Sequence, residues 1–194
     1  MRIHDDRYSR DRRRFEVALR FIQHEARTHT IRQWTGLTDD RIRKLYRFYA
    51  AETGGAAPVR HRGKSPQQPA FFTRSARARH QSALLASLCR ICGALPRAPA
   101  ADSVRSLAGL NRAQLLCHAY EIYRAETPAP LISFEHAIYL LSALWRGEEL
   151  LLGACRDCSA LLVTDRWSLR MPRCIVCAAH RAVPGTLDGA AAPA

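Results

Sequence analysis

Two cysteine pairs near the C-terminus constrain this chain more than anything else in it. They read Cys155-Arg-Asp-Cys158, then fifteen residues, then Cys174-Ile-Val-Cys177. Two thiolates three positions apart can turn around one metal ion. A second pair, brought in by the returning chain, closes a tetrahedron. Zinc prefers that geometry and those soft ligands, and the spacing belongs to the four-cysteine zinc pattern. The expectation is one structural zinc ion per chain, held by Cys155, Cys158, Cys174 and Cys177. With every coordination position filled by protein, such an ion orders the fold and does no chemistry. The competing reading is a pair of disulfides or free buried thiols. Between the pairs, residues 160–164 and 167–171 are expected to form a hairpin around Asp165-Arg166, as in a zinc ribbon.

Charge narrows the partner. Across 194 residues the net charge is +13, and the basic residues are 28 Arg against 2 Lys. Arginine makes bidentate contacts with phosphates and guanine edges that lysine does not match. The balance favours a polyanion, with nucleic acid ahead of a membrane surface. A GC-rich coding bias accounts for part of the Arg to Lys ratio, though not for the net charge. Apolar residues make up 47%, too many for a disordered chain. No apolar run nears the ~20 residues of a membrane span. The charged Met1–Asp6 stretch lacks a signal-peptide core. Seven cysteines, six of them in CxxC pairs, suit a reducing compartment. A cytoplasmic location is expected.

The N-terminal part reads as helices. Phe15, Leu19, Ile22 and Ala26 form an apolar stripe along residues 11–28, with Arg12, Arg13, Arg14 and Arg20 around it. Ile31 and Trp34 share the face of a second helix, which Gly36 ends. Thr38 caps a third, with Asp39 and Asp40 in its first turn and Ile42, Leu45 and Tyr49 inward. This is helix-turn-helix spacing. It leaves Arg43, Lys44 and Arg47 outward, where a DNA-reading helix presents its side chains. An ordinary helical hairpin fits the same pattern, and Arg32 stands where a small residue is usual.

The remaining chain divides as follows. Residues 53–70 are a Gly/Pro-rich basic linker, and from Thr53 to Ala101 there are eight basic residues and no acidic one. Such a segment can lie along phosphates. Helices are expected over 71–93, 102–126 and 133–152, the last capped by Ser133. Cys89 and Cys92 lie within the first of these and read as core, the alternatives being a second metal shared with Cys117 or a redox pair. The domain plan is 1–52 for the N-terminal helices, 53–70 for the linker, 71–152 for a helical core, 153–184 for the zinc module and 185–194 for a disordered tail. The fold class is mainly α, a helical bundle with a helix-turn-helix-like N-terminal half. The two later helices have wide apolar faces, and Glu121, Glu126, Glu135, Glu148 and Glu149 gather near them. That combination suggests a protein partner.

The order of parts resembles the FlhC family, the flagellar master transcription activators of proteobacteria, from the N-terminal helix to about Pro184. Leu37-Thr-Asp-Asp-Arg-Ile-Arg-Lys-Leu-Tyr46 looks like that family's helix after its first turn. Ala119-Tyr-Glu-Ile-Tyr-Arg124 looks like its central helix. Cys155, Cys158, Cys174 and Cys177 match its zinc cluster one by one. The resemblance implies a hetero-oligomer with FlhD, a small helical protein, that binds promoters and recruits RNA polymerase to flagellar operons. Cys89 and Cys92 fall outside the family cluster, and the basic linker is a variable segment.

The expected function is therefore DNA-binding transcriptional activation without enzymatic chemistry. Zinc orders the tail, Arg43, Lys44 and Arg47 contact duplex DNA, and Arg156, Arg166, Arg170 and Arg173 add phosphate contacts. One rival is a thiol oxidoreductase using Cys89 and Cys92, which wants alternating strands that this sequence lacks. Another is a zinc-ribbon RNA-binding or ribosome-associated protein, which wants exposed aromatic platforms.

Overall fold

A computed structural model describes residues 3–52, 58–61, 63–96, 108–169 and 173–182. Within them the chain is mainly helical. The helices are α1 (Ile3–Gln23), α2 (Thr28–Thr35), α3 (Asp39–Glu52), α4 (Ala76–Ile91), α5 (Leu110–Glu126), α6 (Phe134–Arg146) and α7 (Ile175–Ala182). A short 3-10 turn, Pro69–Phe72, precedes α4. Between α6 and α7 lies an antiparallel hairpin, β1 (Leu150–Ala154) with β2 (Leu161–Asp165).

α1 ends before the expected residue 28. The N–H of Glu25 donates to the Ile22 carbonyl and that of Ala26 to the Phe21 carbonyl, both at 2.9 Å. This bond pair closes a helix whose next residue is left-handed. Glu25 takes that conformation at φ 59° without a glycine to announce it, and its carboxylate meets His61 Nε2 at 3.0 Å. The buried stripe is also rotated. Val17, Ala18, Phe21 and Ile22 are fully buried, whereas Leu19 is only partly covered.

The helix-turn-helix pattern folds as its local signals direct. Gly36 is left-handed at φ 69° and its N–H donates to the Arg32 carbonyl at 2.8 Å. Thr38 Oγ1 accepts from the Arg41 N–H at 3.4 Å. Ile31, Trp34, Leu37 and Ile42 are buried between the two helices and α1. Tyr46 is buried beside them, and its hydroxyl donates to the Ala26 carbonyl at 2.9 Å. The inward face of α3 is therefore centred on Ile42 and Tyr46, with Leu45 and Tyr49 at its margin.

α1, α5 and α6 meet at an aromatic cluster. Phe134 packs edge-on against Phe21 at 4.9 Å and against Tyr120 at 5.0 Å. Such pairs add about 0.5–1.5 kcal/mol each beyond the area they bury. The expected 71–93 helix starts only at Ala76, because Ser75 caps it by accepting from the Ala78 N–H at 3.1 Å. Buried Gln81 on α4 holds the loop between α5 and α6. Its carbonyl oxygen accepts from the Tyr123 hydroxyl at 2.5 Å and the Leu131 N–H at 2.7 Å. Its amide donates to the Ala129 carbonyl at 3.1 Å.

α5 begins at Leu110, and residues 102–107 of the expected helix lie outside the described residues. α6 stops at Gly147, left-handed at φ 64°, so Leu150–Leu152 enter a strand instead of extending a helix. The wide apolar faces of α5 and α6 are core. Leu116, Tyr120, Tyr123, Ala137, Leu140 and Leu141 are buried within the chain, and of the α5 stripe only Ile122 stands out, 42% exposed. Glu121 pairs with Arg20 and His24, Glu135 is buried, Glu148 pairs with Arg146, and Glu149 accepts from Tyr139. No described helix is long and apolar enough to cross a membrane.

Candidate metal centre and basic helix face

The hairpin carries the first cysteine pair in its turn, not at its open end. β1 and β2 pair from Leu150↔Asp165 to Ala154↔Leu161, so the bend spans residues 155–160. The expected hairpin around Asp165-Arg166 is thus replaced by one around Cys155–Cys158. The physical reason is burial. Leu150 and Val163 belong to the main core, and Leu152 and Leu161 pack against it. This fixes the strand partners before the cysteines are considered. Inside the bend the Cys155 N–H donates to the Ala160 carbonyl and the Ser159 N–H to the Cys155 carbonyl, both at 2.8 Å. Ser159 sits at φ 59°, which turns the chain back on itself.

The second pair stands at the start of α7, with Cys174 just before the helix and Cys177 in its first turn. Together the four sulfurs lie within 4.8 Å of one another. Cys158 Sγ is 3.7 Å from Cys174 Sγ. A tetrahedron with metal–sulfur arms of about 2.3 Å has edges of about 3.8 Å, so the four side chains fit one tetrahedral ion. Backbone donors already aim at the sulfurs. The Cys174 N–H donates to Cys155 Sγ and the Cys177 N–H to Cys174 Sγ, each at 3.3 Å. Such outer bonds orient ligands and offset their negative charge.

The thiols respond to this setting. Cys155 is held down at about 6, chiefly by the N–H of Cys174 and next by that of Asp157. Cys177 is pushed up to about 12 by the neighbouring Cys174 and Cys158 sulfurs. One thiolate forms readily and the next is opposed. A bound cation removes that opposition and lets all four ionise.

Asp157 braces the cluster. It lies between the first two cysteines and accepts from Arg173 Nε at 2.9 Å, with Arg156 at 3.7 Å and Arg181 at 3.9 Å. Arg156 and Arg173, expected to reach phosphate, are thus engaged inside the module. Arg166 donates to the Gly147 carbonyl. Arg170 lies outside the described residues. Asp157 was missed from the sequence, although opposite charges beside the two pairs, Asp157 before Cys158 and Arg173 before Cys174, are a readable signal.

The other cysteines are core. Cys89 and Cys117 are buried, and burial pushes each to about 12, the reverse of an activated thiolate. Cys92 is partly covered.

On α3, Arg43, Lys44 and Arg47 are all exposed, whereas Ile42 and Tyr46 face the core. Arg43 is drawn to Asp40 at 2.7 Å. Arg41 and Phe48 share the outward surface. The α2–α3 unit is seated on the core by a residue the sequence placed on the surface. Glu135 of α6 accepts from the Arg27 N–H at 2.8 Å, the Thr30 hydroxyl at 3.1 Å and the Ser65 hydroxyl at 2.7 Å. Arg27 is the N-cap of α2 and offers no side-chain cap of its own, so Glu135 caps that helix from a distance. It also ties down the basic segment after α3. Arg27 donates to the Lys64 carbonyl, and Arg60 to Thr28 Oγ1 at 3.3 Å.

No protein-family model matches the chain, and no curated protein matches it.

Proposed function

We propose that this chain is a DNA-binding transcriptional activator subunit whose C-terminal module is ordered by one zinc ion. The observation that carries the reading is the α3 face: Arg43, Lys44 and Arg47 exposed on the second helix of a glycine-turned pair, on a chain of net charge +13. Helices that enter the major groove present such a row, and arginine reads guanine edges and phosphates with paired donors. Four thiolate ligands at tetrahedral separation favour zinc over harder divalent ions. The ion leaves no position open, so its role is to join the hairpin bend to α7.

The flagellar assignment rests on the likeness of Leu37–Tyr46, Ala119–Arg124 and the two cysteine pairs to the FlhC family. On that reading the chain acts in a hetero-oligomer with an FlhD-type helical partner and recruits RNA polymerase at flagellar promoters, in the cytoplasm. Support for a protein partner now comes from the metal module and not from α5 and α6. Trp167 is 78% exposed, Val176 58%, and Leu169 fully so, more apolar surface than a small module leaves in water without a use.

Binding to duplex DNA and to single-stranded RNA at matched salt tests the class. Co-expression with an FlhD-type protein from the same host, then footprinting on flagellar promoters, tests the assignment. The Arg43→Ala/Arg47→Ala double variant should weaken promoter binding without moving the thermal melt. Unchanged affinity in that variant removes α3 from the interface. Tighter binding to RNA than to duplex DNA favours the ribosome-associated alternative.

A further inference from the structure

α3 and the basic segment that follows it enclose a cleft of about 340 Å3, lined by Arg43, Tyr46, Arg47, Ala50, Pro58 and Arg60. Three of these are arginines and none is acidic, although Arg43 also meets Asp40, one turn back on α3, at 2.7 Å. Arg43 and Arg47 come from the outward side of α3, whereas Arg60 arrives from the returning segment. Its guanidinium carbon lies 4.8 Å over the Tyr46 ring, and Nη2 donates to Thr28 Oγ1 at 3.3 Å. Tyr46 is held in turn by its bond to the Ala26 carbonyl. Arg60 is exposed, yet a cation–π contact and one hydrogen bond hold it against α2 and α3. A guanidinium has five N–H donors, so most remain for a ligand. These two contacts reduce the side-chain freedom lost on binding, which is the advantage of a preorganised donor.

We propose that Arg60 closes a phosphate clamp with Arg43 and Arg47, seating one backbone phosphodiester of duplex DNA in this cleft. The inference rests on the reading of α3 as the DNA-facing helix. The cleft offers donors and positive charge, and its one side-chain acceptor is the Tyr46 hydroxyl oxygen, whose proton goes to the Ala26 carbonyl. Such donors suit phosphate oxygens, as they do guanine edges. Phosphate contacts set the register of a helix in its groove and carry no sequence information themselves. Arg60 is accordingly a positioning contact, and Arg43 and Arg47 share their charge between clamp and groove.

The test measures duplex affinity across a salt series for the full chain, with its partner where a complex is needed. Arg60→Gln should reduce the steepness of log affinity against log salt by about 0.9 and weaken all duplex sequences by the same factor. Arg60→Lys should restore the slope. Ala50→Glu leaves Arg60 and its stacking in place but puts a carboxylate in the cleft, and should weaken binding at least about tenfold. Folded Arg60→Gln with the wild-type slope, or Ala50→Glu with wild-type affinity, overturns the clamp while leaving the α3 reading intact. A wild-type chain that binds no duplex DNA overturns both, and is told apart by that first measurement.

Discussion

Asp157 accepts a hydrogen bond from Arg173 Nε at 2.9 Å, joining the residue before Cys158 to the residue before Cys174. The two cysteine pairs are thus clasped by side chains as well as by any ion between them. The same carboxylate also attracts Arg156 and Arg181. It gathers the positive charge of the module near sulfurs that carry excess negative charge once an ion is bound.

Removing that clasp should loosen the metal without abolishing the site. Outer-shell partners typically contribute about 10–100-fold to metal affinity. Asp157→Ala should therefore lose zinc to a competing chelator at lower chelator concentration, with stoichiometry near one at zinc excess. Identical chelator curves for the variant and the wild type would show that the contact is only a surface ion pair.

The ligands themselves should behave differently from the core cysteines. Structural zinc contributes on the order of 10 kcal/mol to small modules, far beyond what the short hairpin bend and α7 can bury. Cys158→Ala should lose zinc and the order of α7 together. Cys89→Ala, in the core far along the sequence, should keep full zinc and cost only about 1–2 kcal/mol of stability. Elemental analysis decides it, and full zinc in Cys158→Ala removes that residue from the ligand set.

Glu135 should matter out of proportion to its single side chain. Its carboxylate serves the Arg27 N–H, Thr30 and Ser65. Glu135→Ala leaves these donors without an acceptor, at a cost of about 3 kcal/mol, and frees the α2 N-terminus from the core. Urea unfolding should show the loss, and duplex affinity should fall in the still-folded protein. A variant within about 0.5 kcal/mol of wild type would mean that water replaces the carboxylate fully.

Acid should destabilise the α1–α5 contact in two stages. Burial holds the His24 imidazole below its ordinary range despite the adjacent Glu121. A histidine lowered in the fold binds fewer protons folded than unfolded. Its contribution is full above about pH 6.5 and declines as pH falls below that value. Burial raises the Glu121 carboxyl, but hydrogen bonds from Arg20 and His24 outweigh it and hold it below its usual range. That contribution is present at neutral pH and is lost at lower pH, as the carboxyl protonates. Thermal melts at pH 8 and pH 5.5 should fall further for wild type than for His24→Gln. Equal drops in the two proteins would place the acid sensitivity elsewhere, with the metal thiolates the next group to measure.

What the amino-acid order determined by itself is local. Gly36, Thr38 and Ser133 announce their turn and caps from a few neighbouring residues, and the structure uses each of them so; the CxxC spacings announce a cluster of four thiols, and the structure gathers their sulfurs within 4.8 Å. The outward row of Arg43, Lys44 and Arg47 was legible for the same reason, since helical periodicity needs only the helix. Tertiary structure decided what depends on distant partners. Glu25 ends α1 in a left-handed turn beside His61, and Glu135 leaves the surface to cap α2 a hundred residues upstream. The hairpin bends at the first cysteine pair because Leu150 and Val163 find the core, a choice invisible to the intervening residues. Arg60 faces α3 only because Tyr46 and Thr28 receive it. Burial and long-range hydrogen bonds are assigned by the packed whole, and no window of sequence contains them.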